Sequence, residues 1–202
     1  STSWRTNYAA FRGEFQDPVG VQGPPAMFGL LMNRYAAQFP LKDEALGKIA
    51  ITQREHALLN DNALEKFKKP LTMEDYLASR VVADPLRLFD SVMFCDGANA
   101  FLVTSEKRAA ELGIGKMVYP IAYGELTNVN GSDPCADITE TGFSKIAPKL
   151  FTDASMTPED IDCFQPYDDF TIAVLMQFED FGFCGRGEGS DFVLETDLSY
   201  TG

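Results

Sequence analysis

Gln165-Pro166-Tyr167-Asp168-Asp169-Phe170-Thr171-Ile172-Ala173-Val174-Leu175-Met176-Gln177-Phe178-Glu179-Asp180-Phe181-Gly182 is the stretch on which the fold turns. A short strand predicted over 161–165 ends at Pro166, which fixes the chain direction. From Asp168 to Phe181 the apolar residues fall nearly all round a helix, so the helix is expected to be buried on most sides. Gly182 stops it, and Gly185, Gly187 and Gly189 make a flexible connection onward. Tyr167 therefore lands just ahead of a buried helix whose first amides lack partners within the helix. A phenol placed there can donate a hydrogen bond or a proton to an oxyanion, with the positive end of the helix dipole close by. Asp168 or Asp169 is suited to cap the helix. The same tyrosine can equally pack and bond to backbone, and the local sequence leaves both roles open.

Upstream, residues 1–23 mix aromatics with Gly, Pro and polar residues and read as loop. Pro24-Pro25 opens a helix to about Phe39, with Met27, Leu30, Leu31, Arg34 and Tyr35 at helical spacing. A second helix runs from about Asp43 to Leu59 on the stripe Leu46, Ile49, Ala50 and Ala57. It carries His56, a histidine flanked by Arg54 and Glu55 that reads as structural rather than as a base. After the basic stretch Lys66-Phe67-Lys68-Lys69-Pro70, Thr72 caps a helix with Glu74 and Asp75 in its first turn. Ala83-Asp84-Pro85 is turn-like. Gly97–Thr104 reads as a small-residue strand, and Ser105 caps a short helix closed by Gly113.

A second unit begins with a strand over Val118–Tyr123, followed by a helix over Thr139–Leu150 and a capped turn at Thr157-Pro158-Glu159-Asp160. Strands alternating with helices give an α/β class. The organisation expected is residues 1–113 as one part and 114–202 as the other. No internal repeat or low-complexity segment is present.

The 202 residues suffice for a well-buried core. No apolar run approaches the roughly 18 residues of a membrane helix, and the start, Ser1-Thr2-Ser3-Trp4-Arg5, lacks signal-peptide character. No membrane association is expected, and a cytoplasmic location is the default. From Asn128 onward three bases face fifteen acids, a local charge of −12 within the overall −13. Such a half repels phosphodiester backbones, so no nucleic-acid partner is expected. Solvated surface or a docking face for a basic partner would each explain it. Cys95, Cys135, Cys163 and Cys184 lie far apart, and with a single histidine no metal site is expected. The cysteines read as reduced, mostly buried thiols. Cys95 has no histidine nearby in sequence to activate it as a nucleophile.

Several segments, in this order, resemble the thiolase superfamily. These are Arg54-x-His56-Ala57 with Asn60; Lys69-Pro70-Leu71-Thr72; Ala83-Asp84-Pro85-Leu86-Arg87-Leu88; Asp96-Gly97-Ala98; and Tyr167-Asp168-Asp169-Phe170. The last continues through Glu179-Asp180-Phe181-Gly182-Phe183-Cys184 to Gly187-Glu188-Gly189. The resemblance is to the branch of sterol-carrier-protein thiolases and lipid-transfer-protein-like aldolases, and among these to steroid side-chain-cleaving aldolases. It runs from about Pro18 to Gly202.

The resemblance implies a layered αβαβα fold, with this chain covering the end of the first half and the start of the second. Members are roughly twice this long and usually dimeric. Against them this chain begins after the usual nucleophilic cysteine and stops before the glycine-rich segment carrying the second catalytic group. Tyr167 aligns with an oxyanion-binding position that is histidine in thiolases of the branch. Thiolases need a cysteine to carry the acyl group. An aldolase needs only acid/base work, which a tyrosine suits.

The resemblance thus implies retro-aldol cleavage of a β-hydroxyacyl-CoA, with a steroid-like body as one substrate. Tyr167 and Asp168 would be the catalytic pair, and Gln22, Gly23, Met27 and Phe170 would line the substrate path. Coenzyme A enters as part of the substrate, and no covalently bound cofactor is expected. The implied partners are a second copy of the chain and a zinc-containing OB-fold subunit. The alternatives are a thiolase or acyltransferase whose cysteine lies outside the chain, and a non-catalytic scaffold subunit.

Overall fold

A computed structural model describes residues 12–21, 23–126 and 137–202. Among these, α1 (Gly23–Ala36), α2 (Asp43–Leu58) and α3 (Met73–Ala78) precede a hairpin of β1 (Val81–Ala83) and β2 (Leu86–Arg87). Then follow α4 (Glu106–Glu111), α5 (Phe143–Ala154), α6 (Thr171–Asp180) and α7 (Gly189–Glu195). Short 3-10 turns sit between them, one of them at Pro158–Asp160.

Helix α6 is the centre, as its all-round apolar sequence requires. Ile172, Val174, Leu175 and Met176 are buried against Leu46 and Ile49 of α2, Val193 of α7 and Tyr35 of α1 in one continuous core. Burying a side chain of this size is worth about 2 kcal/mol relative to leaving it in water. Helix α2 packs on α3, α6 and α7, and α5 packs on α6. Two glycines permit close approaches between helices. A Cβ on Gly47 would lie 2.7 Å from Met73 Sδ and from Tyr76 Cδ1, and one on Gly189 would lie 2.6 Å from Leu175 Cδ2. A larger residue at either position would crowd these side chains.

The local start signals behave as the sequence indicates. Thr72 Oγ1 accepts from Asp75 N at 3.1 Å while Asp75 Oδ2 accepts from Thr72 N at 3.2 Å, a reciprocal cap on α3. Ser105 Oγ accepts from Arg108 N at 3.2 Å, and Gly113 closes the following turn at φ +67°. Helix α5 begins at Phe143, four residues after Thr139, because Thr139 is engaged elsewhere. Its N–H and hydroxyl both donate to Asp137 Oδ1, at 3.0 and 2.8 Å.

Three expectations need correction. The runs Gly97–Thr104, Val118–Tyr123 and Ile161–Gln165 form no strand ladder among the described residues, where the hairpin β1–β2 is the only sheet. Phe101 is 89% exposed and Val118 97%. Strand hydrogen bonds run to a neighbouring strand, and no described segment supplies one to these runs. Second, neither Asp168 nor Asp169 caps α6. Its N-cap is Phe170, in extended conformation and without a side-chain cap, because that residue is drawn into an antiparallel bridge with Ser91. Third, Cys95 and Cys163 are exposed and only Cys184 is partly buried, all three as free thiols; Cys135 and Gln22 lie outside the described residues.

Candidate active site

The segment entering α6 is pinned along its length. Val92 N donates to Asp169 O at 2.8 Å, next to the bridge between Ser91 and Phe170. The Phe170 ring is buried and stacks on Phe28 of α1, with centroids 3.9 Å apart and planes at 19°. At the other end, Tyr167 N donates to Gln177 Oε1 at 2.9 Å, and Gln177 Nε2 donates to Tyr167 O at 2.8 Å. The Tyr167 side chain is 63% exposed. The backbone is therefore held while the phenol projects toward solvent.

Asp168 and Asp169 diverge. Asp168 Oδ2 accepts from Gln53 Nε2 of α2 at 3.1 Å, across the mouth of a cleft. Asp169 turns toward Tyr167, and its charge, followed by burial, raises the phenol above its ordinary value of 10.0. Burial in turn raises the Asp169 carboxyl, one of whose oxygens, Oδ1, is buried without a hydrogen-bond partner. A phenol facing an anion stays protonated at neutral pH and so serves as a donor.

The cleft beside this segment has an apolar floor that includes Ala50, Ala57 and Leu71, with Arg54 and Asp168 at its edges. Ala50, Arg54 and Ala57 share one face of α2 at helical spacing, so the two small residues leave room beneath the guanidinium. Arg54 lies 5.4 Å over the Phe67 ring and donates to Lys69 O at 2.9 Å. Lys66 lies 5.2 Å from the same ring and donates to Phe94 O at 2.8 Å. These contacts fold the basic stretch back over the cleft.

The other candidates fall elsewhere. Gly23 starts α1 at φ +71° and Met27 is half exposed on that helix, which meets the site through the stacking of Phe28 on Phe170. His56 is exposed on α2. Among the described residues no group of three or more His, Cys, Asp or Glu side chains is arranged to hold a metal.

Three polar residues around the site escape a reading of the sequence alone. Asp169, more than Asp168, is the carboxylate that acts on the phenol. Asp90 is buried, and its Oδ1 accepts from both Tyr76 Oη at 2.7 Å and Thr171 Oγ1 at 2.6 Å. Gln177 carried one available signal, being an amide between Met176 and Phe178 in a largely apolar helix; a buried amide has to find partners. A second buried cluster beneath α7 is structural. Tyr35 Oη bonds Glu179, Gly189 N donates to Glu179 Oε1 at 3.0 Å, and Arg186 reaches Glu179 and Asp180 at 3.6 Å. Burial, followed by Glu179, pushes the neighbouring Cys184 thiol up to about 12.

Residues 124–202 match a family model described as thiolase C-terminal domain-like. The chain is 33% identical over 194 residues to 17-hydroxy-3-oxo-4-pregnene-20-carboxyl-CoA lyase of Mycobacterium tuberculosis, covering 93% of this chain and 50% of that protein. It is 31% identical over 192 residues to the steroid side-chain-cleaving aldolase of Thermomonospora curvata, covering 92% and 48%. Among solved structures, the Ltp2-ChsH2(DUF35) aldolase superposes with a TM-score of 0.78 at 28% identity, over 95% of this chain and 50% of that one. The chain thus spans about half the length of the curated relatives it matches. The chain has a thiolase-like fold, and its residues 124–202 match the thiolase C-terminal domain-like family.

Proposed function

We propose that this chain forms part of a carbon–carbon lyase that cleaves a β-hydroxyacyl-CoA by a retro-aldol reaction, with a steroid side-chain thioester as the substrate class. A base takes the proton of the β-hydroxyl, the Cα–Cβ electron pair moves into the thioester as an enolate, and the β-carbon leaves as a ketone or aldehyde. The enolate then takes up a proton at Cα, so atoms and charge balance without an oxidant or an acyl carrier. Tyr167 is the acid of this scheme. The observation that carries the reading is its phenol, exposed on the segment that leads into the buried helix α6 and facing the carboxyl of Asp169, which raises its pKa.

Asp168 holds the cleft mouth through Gln53. The apolar floor over Ala50, Ala57 and Leu71 suits a hydrocarbon body. Gly23, Met27 and Phe170 are assigned to the substrate path through helix α1, and Gln22 is assigned with them by position. Coenzyme A enters as part of the substrate. The names of two relatives support the lyase reading, as does the aldolase among the solved structures. The DUF35 component in the name of that structure supports an OB-fold accessory subunit as partner. A pair of such chains would complete the assembly.

The test offers the full-length protein, with its accessory subunit, a β-hydroxyacyl-CoA and a β-ketoacyl-CoA, each with and without free coenzyme A, and follows products by mass. Cleavage of the hydroxy substrate without free coenzyme A is expected, and Tyr167→Phe is expected to lower kcat by about 100-fold or more. Cleavage of the keto substrate alone, and only with free coenzyme A, would replace the lyase by a thiolase.

A further inference from the structure

We propose that Gln177 is a positioning residue of this site, clamping the backbone of Tyr167 at both of its polar groups and so fixing where the phenol stands. This rests on the assignment of Tyr167 as the acid. The carboxamide of Gln177 is fully used. Oε1 accepts from Tyr167 N at 2.9 Å, and Nε2 donates to Tyr167 O at 2.8 Å and to Ala173 O at 2.9 Å. The residue is 4% exposed, in mid-helix between Met176 and Phe178. An amide is kept in such a place only where its hydrogen bonds are complete.

The clamp does what a neighbouring strand would otherwise do. Residues 161–169 form no helix or ladder, and the exposed ring of Tyr167 has little packing to orient it. The two hydrogen bonds from Gln177 pair with the Tyr167 peptide groups in the manner of a strand partner. Ten residues separate the two in sequence, so the clamp also closes the turn from the site segment back onto the body of α6. At its other end the same segment is held by the bond from Val92 N to Asp169 O and the bridge of Ser91 with Phe170. The phenol is thus carried on a short span of backbone fixed at both ends, and the backbone rather than the ring is what the fold specifies. Misplacement of a reacting group by about 1 Å can cost on the order of 100-fold in rate.

The test is a double-mutant cycle between Gln177→Leu and Tyr167→Phe in the full-length protein with its accessory subunit, assayed with a β-hydroxyacyl-CoA. Gln177→Leu is expected to lower kcat by about 10- to 100-fold while KM stays within a few-fold. In the Tyr167→Phe background the same change is expected to cost nothing further, because there is no longer a phenol to misplace. Gln177→Glu keeps the volume and the acceptor for Tyr167 N, and is expected to fall between wild type and Gln177→Leu. It also serves if Gln177→Leu fails to fold.

An equal fall in both backgrounds would make Gln177 purely structural and overturn the proposal. So would an unchanged kcat in a folded Gln177→Leu protein while Tyr167→Phe is impaired, which leaves the function of Tyr167 intact. A Tyr167→Phe protein with a near-normal rate would instead remove the role of Tyr167 and this inference with it.

Discussion

Thr171, the first residue of α6, donates a 2.6 Å hydrogen bond from Oγ1 to the buried carboxylate of Asp90. Asp90 Oδ1, which takes that bond, also accepts from Tyr76 Oη at 2.7 Å, and Asp90 Oδ2 accepts from Arg87 N at 2.7 Å. One carboxylate therefore joins α3, the strand β2 and the start of the central helix, directly below the cleft. Burial, followed by the charge of Asp90, pushes the Tyr76 phenol up, so it remains a donor throughout the pH range in which the protein is handled.

Removing that acceptor strands two buried hydroxyls and a backbone N–H. Asp90→Ala is expected to destabilise the fold by about 3 kcal/mol, since each orphaned buried group costs about 1–3 kcal/mol. Asp90→Asn keeps one acceptor oxygen and is expected to cost less. Urea unfolding followed by circular dichroism measures both. Equal midpoints for Asp90→Ala and wild type would show that the three donors find other partners.

What the sequence disclosed, and what it withheld, follows from how far each signal reaches along the chain. The burial of α6 was legible because Ile172, Leu175 and Met176 leave no polar face, and the caps at Thr72 and Ser105 were legible because each involves residues three apart. Tyr167 stood out by its place ahead of that helix. Asp90 did not, because its donors Tyr76 and Thr171 are 14 and 81 residues away and no local pattern links them. The choice between Asp168 and Asp169 was equally hidden. It depends on Gln53, 115 residues from Asp168, which draws that carboxylate to the cleft and leaves Asp169 to the phenol. Cys95 was misread for a related reason: its segment is apolar, but no described element covers it.

Asp137 governs a second, independent response, to acid. Its carboxylate accepts from Thr139 N at 3.0 Å, from Arg34 at 3.0 Å and from Gln38, and these bonds hold its pKa far below the ordinary 3.8. A carboxyl depressed in the folded state contributes stability that is present above the unfolded-state value and lost as pH falls toward the folded one. The contribution is therefore complete at neutral pH and declines below about pH 4. Asp137→Asn is expected to lower the melting temperature at pH 7, with the gap to wild type narrowing at pH 3. A gap of constant size down to pH 3 would assign the loss to packing rather than to charge.

The coupling of Tyr167 to Asp169 makes the most specific statement about chemistry. The anion is the largest cause of the raised phenol pKa, ahead of burial and the smaller effect of Asp168. Asp169→Asn removes that anion, so the phenol is expected to ionise at lower pH, closer to its ordinary 10.0. If Tyr167 acts as an acid, turnover survives only while the phenol is protonated. The high-pH limb of kcat should then move to lower pH in Asp169→Asn, while the rate near pH 7 changes less. The tyrosinate absorbance lost on Tyr167→Phe should titrate with the same displacement, which separates the phenol from other groups. The carboxyl of Asp169 is itself raised by burial, so its ionised form costs stability as pH rises past its folded value. Neutral asparagine removes that cost, and the variant should be no less stable than wild type at pH 7. A high-pH limb that stays in place, in a protein whose tyrosinate titration has moved, would mean that the proton used in turnover does not come from Tyr167.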